Sequence, residues 1–83
     1  MKPAVLEAAI LEILAERDNL APAPERYVML ALTVEFRIKV TFTELRDALS
    51  KLDESRHIVG MHGDGTVLWR ISDLGRLRLA ESR

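Results

Sequence analysis

The chain has 83 residues, 48% of them hydrophobic and 30% charged, which suits one compact domain spanning 1–83 and excludes a disordered chain. Twelve basic residues against thirteen acidic ones leave a formal net charge of −1, without the basic footprint of a strong nucleic-acid binder. There is no cysteine, which rules out disulfides and thiolate zinc sites and leaves packing to supply stability.

Nothing approaches the ~18 consecutive apolar residues that span a bilayer. Glu7 interrupts the first apolar run, so neither membrane insertion nor a signal peptide is expected, and the expected location is cytoplasmic. Pro3 to Arg17 reads as a helix. Proline suits its first turn, and Leu6, Ile10, Ile13 and Leu14 recur on one face. Leu11 lies off that stripe and, with Ala8 and Ala15, makes a second and shallower apolar strip. Asp18-Asn19 can end the helix, and Ala21-Pro22-Ala23-Pro24 reads as a stiff connector.

From Val28 to Phe42 apolar residues alternate without a break, the period of a strand. Met29, Leu30, Ala31 and Leu32 nevertheless propagate helices well, and Pro24-Glu25 is a good start. The expectation is helix from Glu25 to about Val34 and extended chain from Phe36 to Val40. Thr41-Phe42-Thr43-Glu44 has the spacing of a capping box. It opens a helix to about Arg56 whose inner face is Leu45, Ala48, Leu49 and Leu52. Two strands, His57–His62 and Val67–Ile71, flank Gly63-Asp64-Gly65, a favoured hairpin tip. Trp69 falls on the side of Val67 and Ile71 and is expected to be buried against Leu45 or Leu49. Ser72 caps a last helix, Asp73 to about Glu81, with Leu74 and Leu77 facing inward and Leu79 off their stripe.

The segments "TFTELRDALSKLDESRHIVG" and "GDGTVLWRISDLGRLRLAE" carry a resemblance. A capped helix with leucines, a hairpin returning into an aromatic, a β-branched residue and Ser, and then a glycine-containing helix resemble the winged helix-turn-helix domain. The tail Trp69 to Arg76 is similar to that of PadR-like and MarR-like transcription regulators. The resemblance covers Thr41 to Glu81; Pro3 to Val40 agrees in helix order only. It implies a mainly α fold with a small β-hairpin (α+β), in which a three-helix core carries a wing and a C-terminal helix. The chain departs from the pattern at Arg56-His57, where many members have a helix-ending glycine, and at "EFRIKV", which lies where a tight turn belongs.

In such domains the third helix enters the major groove and the wing reaches the backbone or minor groove. That assignment puts Thr43, Arg46, Ser50 and Lys51 towards double-stranded DNA, with Arg70 and Arg76 as phosphate contacts and Arg78 a further candidate. Asp47 and Glu54 share the helix face and repel phosphate, so weak, salt-dependent binding is expected. One small near-neutral module makes few phosphate contacts, which implies a homodimer. Ala8, Leu11, Ala15 and Leu79, on the two terminal helices, are its expected interface. The alternative is a winged helix that docks proteins without binding DNA.

His57 and His62, five residues apart with Asp64 nearby, do not match a metal-ligand pattern. No nucleophile has an adjacent base and no glycine loop precedes a helix in a phosphate-cradling arrangement, so neither an enzyme nor a cofactor is expected.

Overall fold

The computed structural model describes residues 2–17 and 22–82. The expected helix end at Asp18-Asn19 and the start of the connector at Ala21 lie outside them. Four helices and three strands follow in the order α1 (Pro3–Arg17), β1 (Ala23–Pro24), α2 (Glu25–Val34), α3 (Phe42–Glu54), β2 (Ile58–Gly63), β3 (Thr66–Ile71) and α4 (Asp73–Glu81). No described helix is long and apolar enough to cross a membrane.

Helix α1 is the centre of the molecule. It packs on α2, α3, α4 and β3, so it buries a wide face: Leu6, Ala9, Ile10, Leu11, Ile13 and Leu14. A helix with partners on several sides needs an apolar face wider than a single stripe. Leu11, expected on an external strip, is accordingly 1% exposed, while Ala8 and Ala15 are half-buried. Each leucine withdrawn this way contributes roughly 1.5–3 kcal/mol of transfer free energy.

Helix α4 also turns a different face inward from the one expected. Gly75 and Leu79 are buried, whereas Leu74 and Leu77 are 51% and 56% exposed. The cause is local. Ser72 Oγ accepts from the Gly75 N–H at 3.1 Å and donates to the Arg56 carbonyl, which fixes the start of the helix against the end of α3. Gly75 then faces the His57 carbonyl, and Leu79, one turn on, follows it into the core. Leu11 and Leu79 are thus occupied within their own chain, and the premise that marked them as a subunit interface falls.

The sheet has the order β1-β3-β2 and is antiparallel throughout. The hairpin closes at Gly63 and Thr66 around Asp64-Gly65, with Gly65 at φ 78 supplying the positive dihedral. Ala23 and Pro24, read from sequence as connector only, pair with Trp69 and Leu68. Proline is tolerated there because β1 is an edge strand. Trp69 is half-buried at the margin of the core rather than enclosed by it. Its ring lies over Gly60, where a Cβ would come within 3.0 Å of the indole.

The segment after α2, expected to be extended from Phe36 to Val40, begins with a turn at residues 35–37 and continues as irregular chain to Val40. Arg37 has φ 54, the Ile38 N–H donates to the Leu32 carbonyl at 2.9 Å, and Ile38 is buried in the core. Helix α3 ends in a Schellman motif without glycine. The His57 N–H donates to the Leu52 carbonyl at 2.9 Å and the Arg56 N–H to Asp53 at 3.0 Å, with Arg56 at φ 63 in the left-handed region.

Candidate nucleic-acid interface

Helix α3 is held at its start by the expected capping box. The Glu44 N–H donates to Thr41 Oγ1 at 3.1 Å, and the Thr41 N–H donates to Glu44 Oε1 at 3.0 Å. The backbone N–H of Thr41 holds the Glu44 carboxyl below its ordinary range, and the hydrogen bond with the Thr41 side chain adds to the effect. Leu45, Ala48, Leu49 and Leu52 are buried. The opposite side presents Thr43, Asp47, Ser50, Lys51 and Glu54 to solvent, with Arg46 exposed on the flank. The structure therefore brings four of the six residues assigned to DNA, Thr43, Arg46, Ser50 and Lys51, onto one exposed helix.

Arg46 is not a lone cation. Its Nε lies 3.2 Å from both carboxylate oxygens of Glu25, at the first turn of α2, and its guanidinium lies 6.0 Å from the centre of the Phe42 ring. The Arg46 side chain is 69% exposed, so the pair is worth at most about 1 kcal/mol. It still ties α3 to α2 and offsets the charge that phosphate would meet. Composition had not signalled this partner. Glu25 is 21 residues upstream and only the helix–helix docking brings it near.

Arg46 and Glu25 also form one wall of a cleft of about 330 Å³ whose other wall is the hairpin: Gly65, Thr66, Val67 and Trp69. Arg70 does not join it. Side chains alternate along β3, so Arg70 shares the far side of the sheet with Leu68, away from Val67 and Trp69, and is paired in register with Val59. Arg76 is exposed on α4, which packs on α1. Arg78 reaches back to Glu7 of α1, Nη2 to Oε1 at 3.0 Å, and serves as a clasp between the two terminal helices. The assigned cations thus divide between the α3 face and two other surfaces. Among the described residues no three His, Cys, Asp or Glu side chains come together as a metal site.

No family model matches the chain, and no curated protein matches it. Solved structures do. A transcriptional regulator from Clostridium thermocellum, Cth-833, superposes with a TM-score of 0.82 over 95% of this chain and 77% of its own, at 16% identity. AF1382 from Archaeoglobus fulgidus gives a TM-score of 0.71 over 93% of this chain and 78% of its own, at 12% identity. The fold is a winged helix. The β2–β3 hairpin is its wing and α3 is the helix that leads into it. At these identities the likeness is one of fold, and function must be argued from the surface.

Proposed function

We propose that this winged helix is a DNA-binding transcription regulator that docks α3 in the major groove with the wing alongside. The observation that carries the reading is the exposed face of α3. Thr43, Ser50 and Lys51 project from a helix rigidly capped at Thr41, with the wing standing across a cleft from Arg46. Hydroxyl and ammonium groups in that arrangement suit phosphate and base-edge contacts. The likeness to a regulator's fold supports the reading. The net charge of −1 and the presence of Asp47 and Glu54 on the same face keep affinity low and salt-dependent. Useful occupancy then requires two copies on one site.

A second reading, a protein-docking module, is favoured by one specific feature. Leu30 and Val34 on α2 are 61% and 64% exposed and, with Tyr27, line a shallow apolar depression. Fluorescence anisotropy with a random-sequence duplex over a salt series separates the two. Binding at low salt that weakens steeply with added salt supports the DNA reading. No binding at low salt removes it and leaves the docking module.

A further inference from the structure

We propose that β2, the outer strand of the wing, is a self-pairing edge through which two copies of this chain join into one continuous antiparallel sheet. The inference rests on the geometry of the hairpin and is independent of the DNA reading.

The outer strand is open. With the order β1-β3-β2, one side of β2 faces β3 and the other faces no strand. The Ser72 N–H donates to the His57 carbonyl at 3.0 Å, continuing the ladder beyond the paired strands. Hydrogen-bonded pairs in an antiparallel ladder alternate, so residues 57, 59, 61 and 63 bond inward to β3. The N–H and C=O groups of Ile58, Gly60 and His62 therefore point outward. Among the described residues, no backbone group outside the wing's own ladder pairs with them.

The open edge also carries no charged residue, proline or bulge. Ile58–Gly63 reads IVGMHG, six residues without a charge or a proline. Edges that must stay single carry lysine, proline or a bulge. Here two apolar side chains, Val59 and Met61, are 49% and 43% exposed instead.

The occupant follows from the register. Outward-pointing residues must meet outward-pointing residues. A two-fold axis at Gly60 does this, setting Ile58 opposite the second copy's His62 and Gly60 opposite its own counterpart. The same axis places Val59 directly across from the second copy's Met61, and Met61 across from its Val59, all on one face. The two exposed apolar side chains thereby cover each other in non-hydrogen-bonded pairs, where side chains approach closest. No like charges meet anywhere along the strand. One register satisfies the backbone and buries the apolar pair at the non-hydrogen-bonded positions, where the two chains lie closest, and it puts no side chain on the two-fold axis at Gly60. A strand of six residues buries less than the ~1,200–2,000 Å² of a standard stable interface, so the association is a concentration-dependent equilibrium.

Sedimentation equilibrium of the full chain without nucleic acid tests the proposal. The wild type is expected to move from monomer to dimer mass as concentration rises. Val59→Lys and, separately, Met61→Lys should weaken association roughly tenfold or more while leaving the far-ultraviolet circular dichroism unchanged, because both positions are half-open to solvent. The double variant Val59→Lys, Met61→Glu should associate again at low salt and lose that association as salt is added, since the register sets position 59 against position 61 of the other copy. Hydrogen exchange at the Gly60 and His62 amides should slow with concentration, and that at Val59 and Met61 should not. A wild type that stays monomeric throughout overturns the proposal, including the case in which it binds an added peptide of the β2 sequence. So does a dimer that Leu77→Lys dissolves and Val59→Lys leaves intact.

Discussion

Gly75 lies against the backbone carbonyl of His57, closer than any Cβ could come. The same carbonyl accepts the Ser72 N–H at 3.0 Å. The last helix, the final strand and the exit from α3 therefore meet at one backbone group, and the rotation of α4 is set there. Gly75→Ala drives a methyl into this carbonyl and into the Ile71 side chain, and the backbone cannot yield without releasing the Ser72 cap. Overpacking of this kind costs about 1–3 kcal/mol, and a backbone obstacle puts this site at the upper end. Gly63→Ala, with open space around its Cβ position, is the matched control. Urea unfolding of the two variants should show a large drop in midpoint for the first and a small one for the second.

Arg56 ends α3 at φ 63 without the glycine that a Schellman motif favours. A side chain in the left-handed region costs roughly 1–2 kcal/mol, of which glycine's extra unfolded-state entropy takes back part. Arg56→Gly should therefore stabilise the chain by about 0.5–1 kcal/mol. Thermal unfolding checks this, and a lowered melting temperature would mean that the arginine side chain contributes a contact outweighing its backbone strain.

Much of the fold was legible because local chemistry and global packing agree. Thr41 and Glu44 spell a capping box and form one. Asp64-Gly65 spells a hairpin tip and forms one. Legibility failed where a residue's surroundings are assembled from distant segments. Leu11 looks peripheral on a single helical wheel, yet α1 has partners on several sides. The inward face of α4 differs from the expected one because Leu74 and Leu77 make the more regular apolar pattern while Gly75 and Leu79 are the residues buried. Gly75 held the correcting signal, since a glycine inside a helix marks a close approach that turns its own face inward. At the candidate site the capped face of α3 was readable from spacing. The pairing of Arg46 with Glu25 and of Arg78 with Glu7 was not, because charge partners on different helices leave no periodic trace.

The capping box makes stability pH-dependent in a defined direction. Hydrogen bonds from Thr41 lower the Glu44 pKa in the folded chain. As pH falls, the unfolded state takes up a proton first, so the contribution is fully present above the ordinary glutamate range. It is lost as pH drops through the lowered folded value. Glu44→Gln keeps an acceptor at the same place in the box but cannot titrate. Its stability should fall less steeply into acid than that of the wild type, while Thr41→Ala should cost about 1 kcal/mol at neutral pH. Parallel acid slopes in wild type and Glu44→Gln would show that the carboxylate does not sense the cap.

Arg46 supplies the sharpest test of the DNA reading, because its charge is already engaged. Glu25 holds the guanidinium at 3.2 Å, so the wild-type chain presents Lys51 as the principal open cation on the α3 face. Lys51→Ala should lower the slope of log affinity against log salt by about one unit. Arg46→Ala should change the slope less, since phosphate must first displace a carboxylate to use that side chain. Glu25→Gln removes the competing charge while keeping the shape of the residue. It should tighten duplex binding and steepen the slope by up to about one unit, and in that background Arg46→Ala should now cost the full unit. The double-mutant cycle thus reads the coupling between Glu25 and Arg46 through DNA itself. Additive effects at the two positions would mean that Arg46 stays away from the duplex, and the helix would then have to engage DNA through Thr43, Ser50 and Lys51 alone.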